Sequence, residues 1–188
     1  MVKTRFRLTR KQKTIVNCKT DYVLALTDRR FGKEYVCLAK ALKECRKKFS
    51  VVIWVTLNNQ IKEAIKDFVI QSCKDWGGEI SEISIDKDCV NFRNGSRLYF
   101  ASCNVYIASR SNILCNITSG RSPTFIIFDE CGFFTEEQWR FVFNAVHENS
   151  CRSLFISSVY KNKGVSPCFN ADLFEKIKLI DYRRFNHF

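Results

Sequence analysis

The stretch Phe125-Ile126-Ile127-Phe128-Asp129-Glu130 restricts the possible folds of this chain more than any other. Four consecutive apolar residues, β-branched or aromatic, run straight into two adjacent carboxylates. An unbroken apolar run suits a strand buried on both faces, as in a parallel sheet. Such a strand shows only its carboxyl end, which is where open α/β sheets place their ligands. Two acids at that end either face water or work on a cation. The pattern has the form of a Walker B strand, in which the first acid serves Mg²⁺ and the second polarises a water. A buried strand that ends in a solvated acidic turn would read the same way. What separates the two is whether the chain also supplies a loop that holds phosphate.

A candidate loop stands near the start. Tyr22-Val23-Leu24-Ala25-Leu26-Thr27 reads as a buried strand and runs into Asp28-Arg29-Arg30-Phe31-Gly32-Lys33-Glu34. From Tyr35 to Lys47 the spacing is helical, with Val36, Leu38, Ala39 and Leu42 inward and lysines outward. Strand, short loop with Gly-Lys, then helix is the layout of a P-loop. Backbone N–H groups and the positive end of the helix hold phosphate there, and the lysine adds a point charge. The match is imperfect. Thr27 stands where the first glycine of the consensus belongs, and Glu34 where a Ser or Thr hydroxyl normally reaches Mg²⁺. A carboxylate beside a triphosphate repels it unless it reaches the metal. A basic turn between a strand and a helix remains the plain alternative.

The remaining chain fits the same architecture. Val51-Val52-Ile53-Trp54-Val55 reads as a second buried strand, and Asn58 to Cys73 as a helix with Ile61, Ala64, Ile65, Phe68 and Val69 on one side. The order β-loop-α-β-α implies right-handed crossovers and a parallel sheet. After Trp76-Gly77-Gly78 the pattern alternates in short strands, with Asn94-Gly95 as a hairpin turn. Ala108 to Pro123 is polar and irregular. Arg110 and Arg121 in it either meet phosphate or lie on a plain connector. Thr135 and Gln138 form a capping box for a helix to about Glu148. Ser153 to Ser158 is a further buried strand ending in two hydroxyls, suited to sensing a γ-phosphate or to capping the strand. A loop from Val159 to Gly164, a short helix near Ala171 to Glu175 and a strand from Ile177 to Tyr182 complete the chain.

A length of 188 residues suits one domain with a sizeable core. Two regions are expected: a basic arm over 1–20 and an α/β domain over 21–188. A net charge of +12 favours polyanionic partners, nucleic acid first and an acidic membrane surface second. Arg5, Arg7, Arg10 and Lys11, with no acid among them, are the candidate DNA contacts, or a solvated arm. No apolar run approaches the roughly 20 residues that cross a bilayer. The ten cysteines include no CxxC pair, and only His147 and His187 are at hand as histidine ligands. Free buried thiols in a reducing compartment are therefore expected, with a metal site as the alternative.

Together these pieces resemble the ATPase domain of the large subunit of viral DNA-packaging terminases, of the herpesvirus and tailed-phage kind. Arg29-Arg30-Phe31-Gly32-Lys33 is similar to that family's arginine-led Walker A loop. Gly120 to Pro123 leading into Phe125 to Glu130 and Phe133-Phe134 is similar to its Walker B region. Leu154 to Ser158 followed by Lys161 to Gly164 is similar to its coupling motif. The resemblance implies a P-loop NTPase-like three-layer sandwich with a mostly parallel central sheet, of the RecA/terminase type, with ATP and Mg²⁺ as cofactors. It implies nucleotide binding by Arg30, Phe31, Gly32, Lys33 and Glu34, and a metal at Asp129. Catalysis would fall to Glu130 with Arg29 or Arg30, and coupling to Ser157 and Ser158. The partners it implies are double-stranded DNA, other terminase subunits and a portal, with a homo-oligomer as the active form and a host cell nucleus as the setting.

Two departures define the alternatives. Glu34 puts Mg²⁺-dependent hydrolysis in question, so a non-hydrolysing DNA-binding or assembly subunit competes with an ATP-driven motor. The family's RNase H-like nuclease domain has no counterpart in this sequence, which suits a fragment, a split-gene piece or a subunit without a nuclease. A helicase-type ATPase, the third reading, needs a second RecA-like domain.

Overall fold

The apolar runs become strands of one sheet, and the helical spacings become the helices that cover it. The computed structural model describes residues 7–74, 80–84, 88–103, 120–135, 138, 139, 142, 146, 149–158 and 177–182. In chain order these build helix α1 (Arg10–Asn17), strand β1 (Tyr22–Thr27), α2 (Lys33–Cys45), β2 (Val51–Thr56) and α3 (Asn59–Lys74). There follow β3 (Ile80–Ser84), β4 (Cys89–Phe92), β5 (Arg97–Ser102), β6 (Phe125–Asp129), a 3₁₀ turn (Cys131–Phe133), β7 (Arg152–Ser158) and β8 (Ile177–Asp181). The sheet is eight-stranded, in the order β3-β4-β5-β2-β6-β7-β1-β8. All pairings from β5 to β8 are parallel, and β3 and β4 add antiparallel strands at one edge.

Burial explains why the central strands read as unbroken apolar runs. β2 and β6 are buried at every position, so each residue meets a covered face of the sheet. Val23, Ala25, Val52, Trp54, Phe125 and Ile127 pack on the face covered by α1, α2 and α3. Leu24, Leu26, Ile53, Val55, Ile126 and Phe128 pack on the other, against Trp139, Val142 and Val146. Those three residues are helical, at a spacing that keeps them on one side, and the Thr135–Gln138 capping box forms as expected. The architecture is the expected three-layer α/β sandwich.

One region differs from the sequence reading. Arg10 and Lys11 do not lie on a solvated arm but in helix α1. A second capping box, Thr9 with Gln12, starts that helix, and Ile15 and Val16 are buried on the domain. The density of positive charge hid this short amphipathic turn, although Thr9 and Gln12 have the same spacing as Thr135 and Gln138. The domain therefore includes residues before 21. Arg5, Arg110 and the expected elements between 159 and 176 lie outside the described residues.

Candidate functional site

The parallel strands all end at one rim, and the chemistry gathers there. β7 lies between β1 and β6. The loop after β1, the acids after β6 and the hydroxyls of β7 therefore meet across three adjacent strands. Gly32 starts α2 in the left-handed conformation, at φ 75° and ψ 50°. A side chain there would be strained, and a Cβ would come within 3.1 Å of Gln12 Nε2. Glycine at this position lets the chain turn directly into α2, which carries Lys33 on its first turn. Gln12 also fixes the loop: its Nε2 donates to the Phe31 carbonyl at 2.7 Å, while its Oε1 accepts from Thr9 N. Sequence reasoning passed over Gln12, although its capping-box spacing was a usable signal.

Lys33 is buried, and its Nζ lies 3.0 Å from Glu130 Oε1. The Gly-Lys and Asp-Glu dipeptides thus share one rim, the condition on which the functional reading rests. Glu130 adopts φ 54° and ψ 35°, left-handed and strained for a residue with a side chain. The strain turns its carboxylate back over the strand ends. There Ser157 Oγ, Ser158 N and Ser158 Oγ each donate to it at 3.2 Å. Gly132 makes room for this arrangement, because a Cβ there would sit 2.6 Å from Ser157 Oγ. Ser157 and Ser158, expected to couple the site to its surroundings, are therefore direct partners of Glu130.

Asp129 is placed differently. It is the last residue of β6, on the face that α2 covers, and its Oδ2 accepts from the indole Nε1–H of Trp54 at 3.4 Å. Among the described residues, its buried Oδ1 meets no hydrogen-bond partner. Burial first, then the neighbouring charge of Glu130, pushes its pKa up to about 7, with Lys33 acting against the shift. A buried carboxylate oxygen with no donor is a place for a cation. Trp54 was not foreseen as a site residue. It sits in the middle of an apolar run, and only the adjacency of β2 and β6 brings its indole under Asp129.

Glu34 is exposed on the first turn of α2, and its charge contributes to raising the pKa of Asp129. Phe31 is half-buried and stacks on Tyr182, with ring centroids 5.7 Å apart. Arg29 and Arg30 are exposed on the turn before Gly32. Arg7, Arg10 and Lys11 are exposed as well, and Lys11 lies over the Tyr182 ring. The eight described cysteines are free thiols, and among the described residues no group of His, Cys, Asp and Glu could hold a metal as a cluster. No described helix is long and apolar enough to cross a membrane.

No family model matches the sequence, and no curated protein matches it significantly. Solved structures do match. The large terminase ATPase domain of Thermus phage P74-26 superposes with a TM-score of 0.69 at 12% identity, covering 95% of this chain and 82% of that one. This is the large-terminase ATPase fold. The HK97 bacteriophage large terminase gives a TM-score of 0.61 at 16% identity over 81% of this chain, but only 33% of its own length. The UvsW helicase of bacteriophage T4 gives 0.63 at 10% identity, covering 96% of this chain and 62% of that one. A further large terminase of this fold, from a thermophilic bacteriophage, was solved in complex with ADP. Within the terminase fold, Lys33, Asp129, Glu130, Ser157 and Ser158 all stand at the carboxyl rim of the sheet.

Proposed function

We propose that this chain is the ATPase motor module of a viral DNA-packaging terminase, coupling ATP hydrolysis to the translocation of double-stranded DNA. The observation that carries the reading is the 3.0 Å pair of Lys33 Nζ and Glu130 Oε1 at the rim where β1, β7 and β6 end. A lysine on the first turn of a helix and an acid that can orient water are the two parts phosphoryl transfer needs side by side. Support also comes from the ADP complex of a terminase with the same fold.

Each residue then has a task. The loop N–H groups before α2, with Arg30, Phe31 and Gly32, cradle the phosphates, and Lys33 leaves Glu130 to neutralise them. Glu130, freed from the lysine but still held by Ser157 and Ser158, accepts the proton of the attacking water or orients it. Arg29 or Arg30 offsets charge that develops in the transition state. Mg²⁺ fits Asp129, whose Oδ1 has no hydrogen-bond partner among the described residues; bound there with the nucleotide, the ion would neutralise phosphate charge. Ser157 and Ser158 carry the position of Glu130 into β7 and so to the rest of the motor. Double-stranded DNA, a portal, other terminase subunits and further copies of this chain in a host nucleus are the partners and setting that go with this reading.

The exposed Glu34 favours a second reading, a subunit that binds nucleotide or DNA without hydrolysis. It occupies the place of a metal-binding hydroxyl and adds negative charge near Asp129. Titration with a fluorescent ATP analogue, with and without Mg²⁺, tests the first reading. Binding is expected for the wild type and lost in Lys33→Ala; unchanged affinity in that variant would remove the phosphate-loop assignment. Phosphate release by Glu34→Thr tests the second: activity that appears only in the variant identifies a degenerate subunit.

A further inference from the structure

The opposite rim, where the strands begin, carries a surface that the nucleotide site does not use. The turn between α2 and β2 holds Arg46, Lys47, Lys48 and Phe49, all exposed, and the tip of the β4–β5 hairpin adds exposed Arg93. Phe49 is 69% exposed, more than any other large apolar residue among those described. Its backbone is left-handed, at φ 59°, where a bulky side chain is a genuine outlier and glycine or asparagine would be at ease. The ring lies against Gly95 in the neighbouring hairpin tip.

This platform is rigid. Phe49 N donates to the Asn94 carbonyl at 3.3 Å, and Asn94 Nδ2 donates to the Cys45 carbonyl at 2.8 Å. Ser96 Oγ donates to the Lys47 carbonyl at 2.6 Å and accepts from Ser50 N. Two turns distant in sequence are thus zipped together, and the ring, resting on Gly95, keeps most of its surface exposed. No acid occurs within 46–50 or 93–96. Lys47 pairs with Glu44 one turn back. Among the described residues, Arg46, Lys48 and Arg93 have no acidic partner.

We infer that this rim is a nucleic-acid contact, in which Arg46, Lys48 and Arg93 hold the phosphates of one strand and Phe49 stacks on an unpaired base. Charge complementarity selects a polyanion, and a fixed aromatic face among cations is how single strands are gripped without sequence preference. A lipid surface calls for several apolar side chains, whereas here one ring stands among cations. The inference goes beyond the nucleotide reading and differs from the residues Arg5 to Lys11 as a DNA contact. Because the two sites lie on opposite rims and the assay contains no nucleotide, either can fail alone.

The test is fluorescence anisotropy of the whole chain with a labelled oligothymidine, across a salt series. Phe49→Ala is expected to bind roughly tenfold more weakly at unchanged salt slope. The double variant Arg46→Gln with Lys48→Gln should lower the slope by about 1.4. Phe49→Gly separates binding from folding: it should bind as weakly as Phe49→Ala while keeping or gaining urea resistance, because it relieves the backbone. Wild-type affinity in Phe49→Ala and in the double variant overturns the proposal. So does a blunt duplex that binds more tightly than the single strand and ignores Phe49. Loss of binding to phosphatidylserine vesicles in Phe49→Ala, with oligothymidine binding intact, would assign the ring to a membrane and overturn it as well.

Discussion

Glu44 and Asp129 are buried almost equally, at 2% and 4% exposure, yet the two rims of the sheet leave them in opposite electrostatic states. Near the amino rim, burial works against the charge of Glu44. Hydrogen bonds from Lys47 and Arg152 and the charge of Lys40 outweigh it and hold the carboxyl below its usual range. Lys40 is also satisfied, since its Nζ donates to the carbonyls of Val16 and Cys18. At the carboxyl rim, Asp129 meets one indole donor and an adjacent acid among the described residues, its other oxygen has no donor there, and its pKa rises to about 7. Equal burial therefore does not make equal roles. The partnered acid locks α1, α2 and β7 together, while the under-partnered acid leaves work for a ligand.

Substitutions at Glu130, Glu44 and Asp129 separate the two rims. The largest effect is expected at Glu130. Glu130→Gln should lower phosphate release by about 10²- to 10⁴-fold, the range of a lost general base. Its urea stability should fall less than that of the Glu44 variant, since Glu130 is partly exposed. A variant that unfolds while the remaining protein still turns over ATP would assign Glu130 to structure. Next comes Glu44→Ala, which leaves Lys40 buried without its acid. Stability should drop by about 3 kcal/mol in urea titrations, with nucleotide affinity of the folded protein unchanged. A negligible loss would mean that the amino-rim network is ornamental.

The smallest effect sharpens the contrast through pH. In the folded protein Asp129 keeps its proton up to about pH 7, whereas in the unfolded chain it ionises near 3.8. The folded state holds the extra proton across that window, so stability declines as pH rises through it and levels off above. Asp129→Asn cannot ionise, so the stability of the variant relative to wild type should grow as pH rises from 4 to 8. Glu44 has the opposite sign: its contribution is present above pH 4.5 and is lost as pH falls through its lowered folded value. Parallel urea titrations of both variants across pH would show one difference growing upward and the other shrinking downward. Identical profiles would erase the distinction between the rims.

Local pattern in the sequence determined most of the elements. The runs Tyr22 to Thr27, Val51 to Thr56, Phe125 to Asp129 and Arg152 to Ser158 are strands because each is apolar enough to be covered on both faces. Gly32-Lys33 before a helix and Asp129-Glu130 after a strand were legible as a pair, since turn chemistry and strand ends are properties of a few adjacent residues. Strand order was not legible, because ladder partners are chosen by contacts between distant segments that leave no mark on local periodicity. Only the tertiary structure set β7 between β1 and β6, and so gave Glu130 its two serines. It alone slid Trp54 beneath Asp129, and it folded α1 onto α2 through Ile15 and Val16, two apolar residues that surrounding charge concealed. Residue type supplied the lysine and the acids; the 3.0 Å between them came from crossovers spanning nearly a hundred residues of chain, beyond the reach of any local rule.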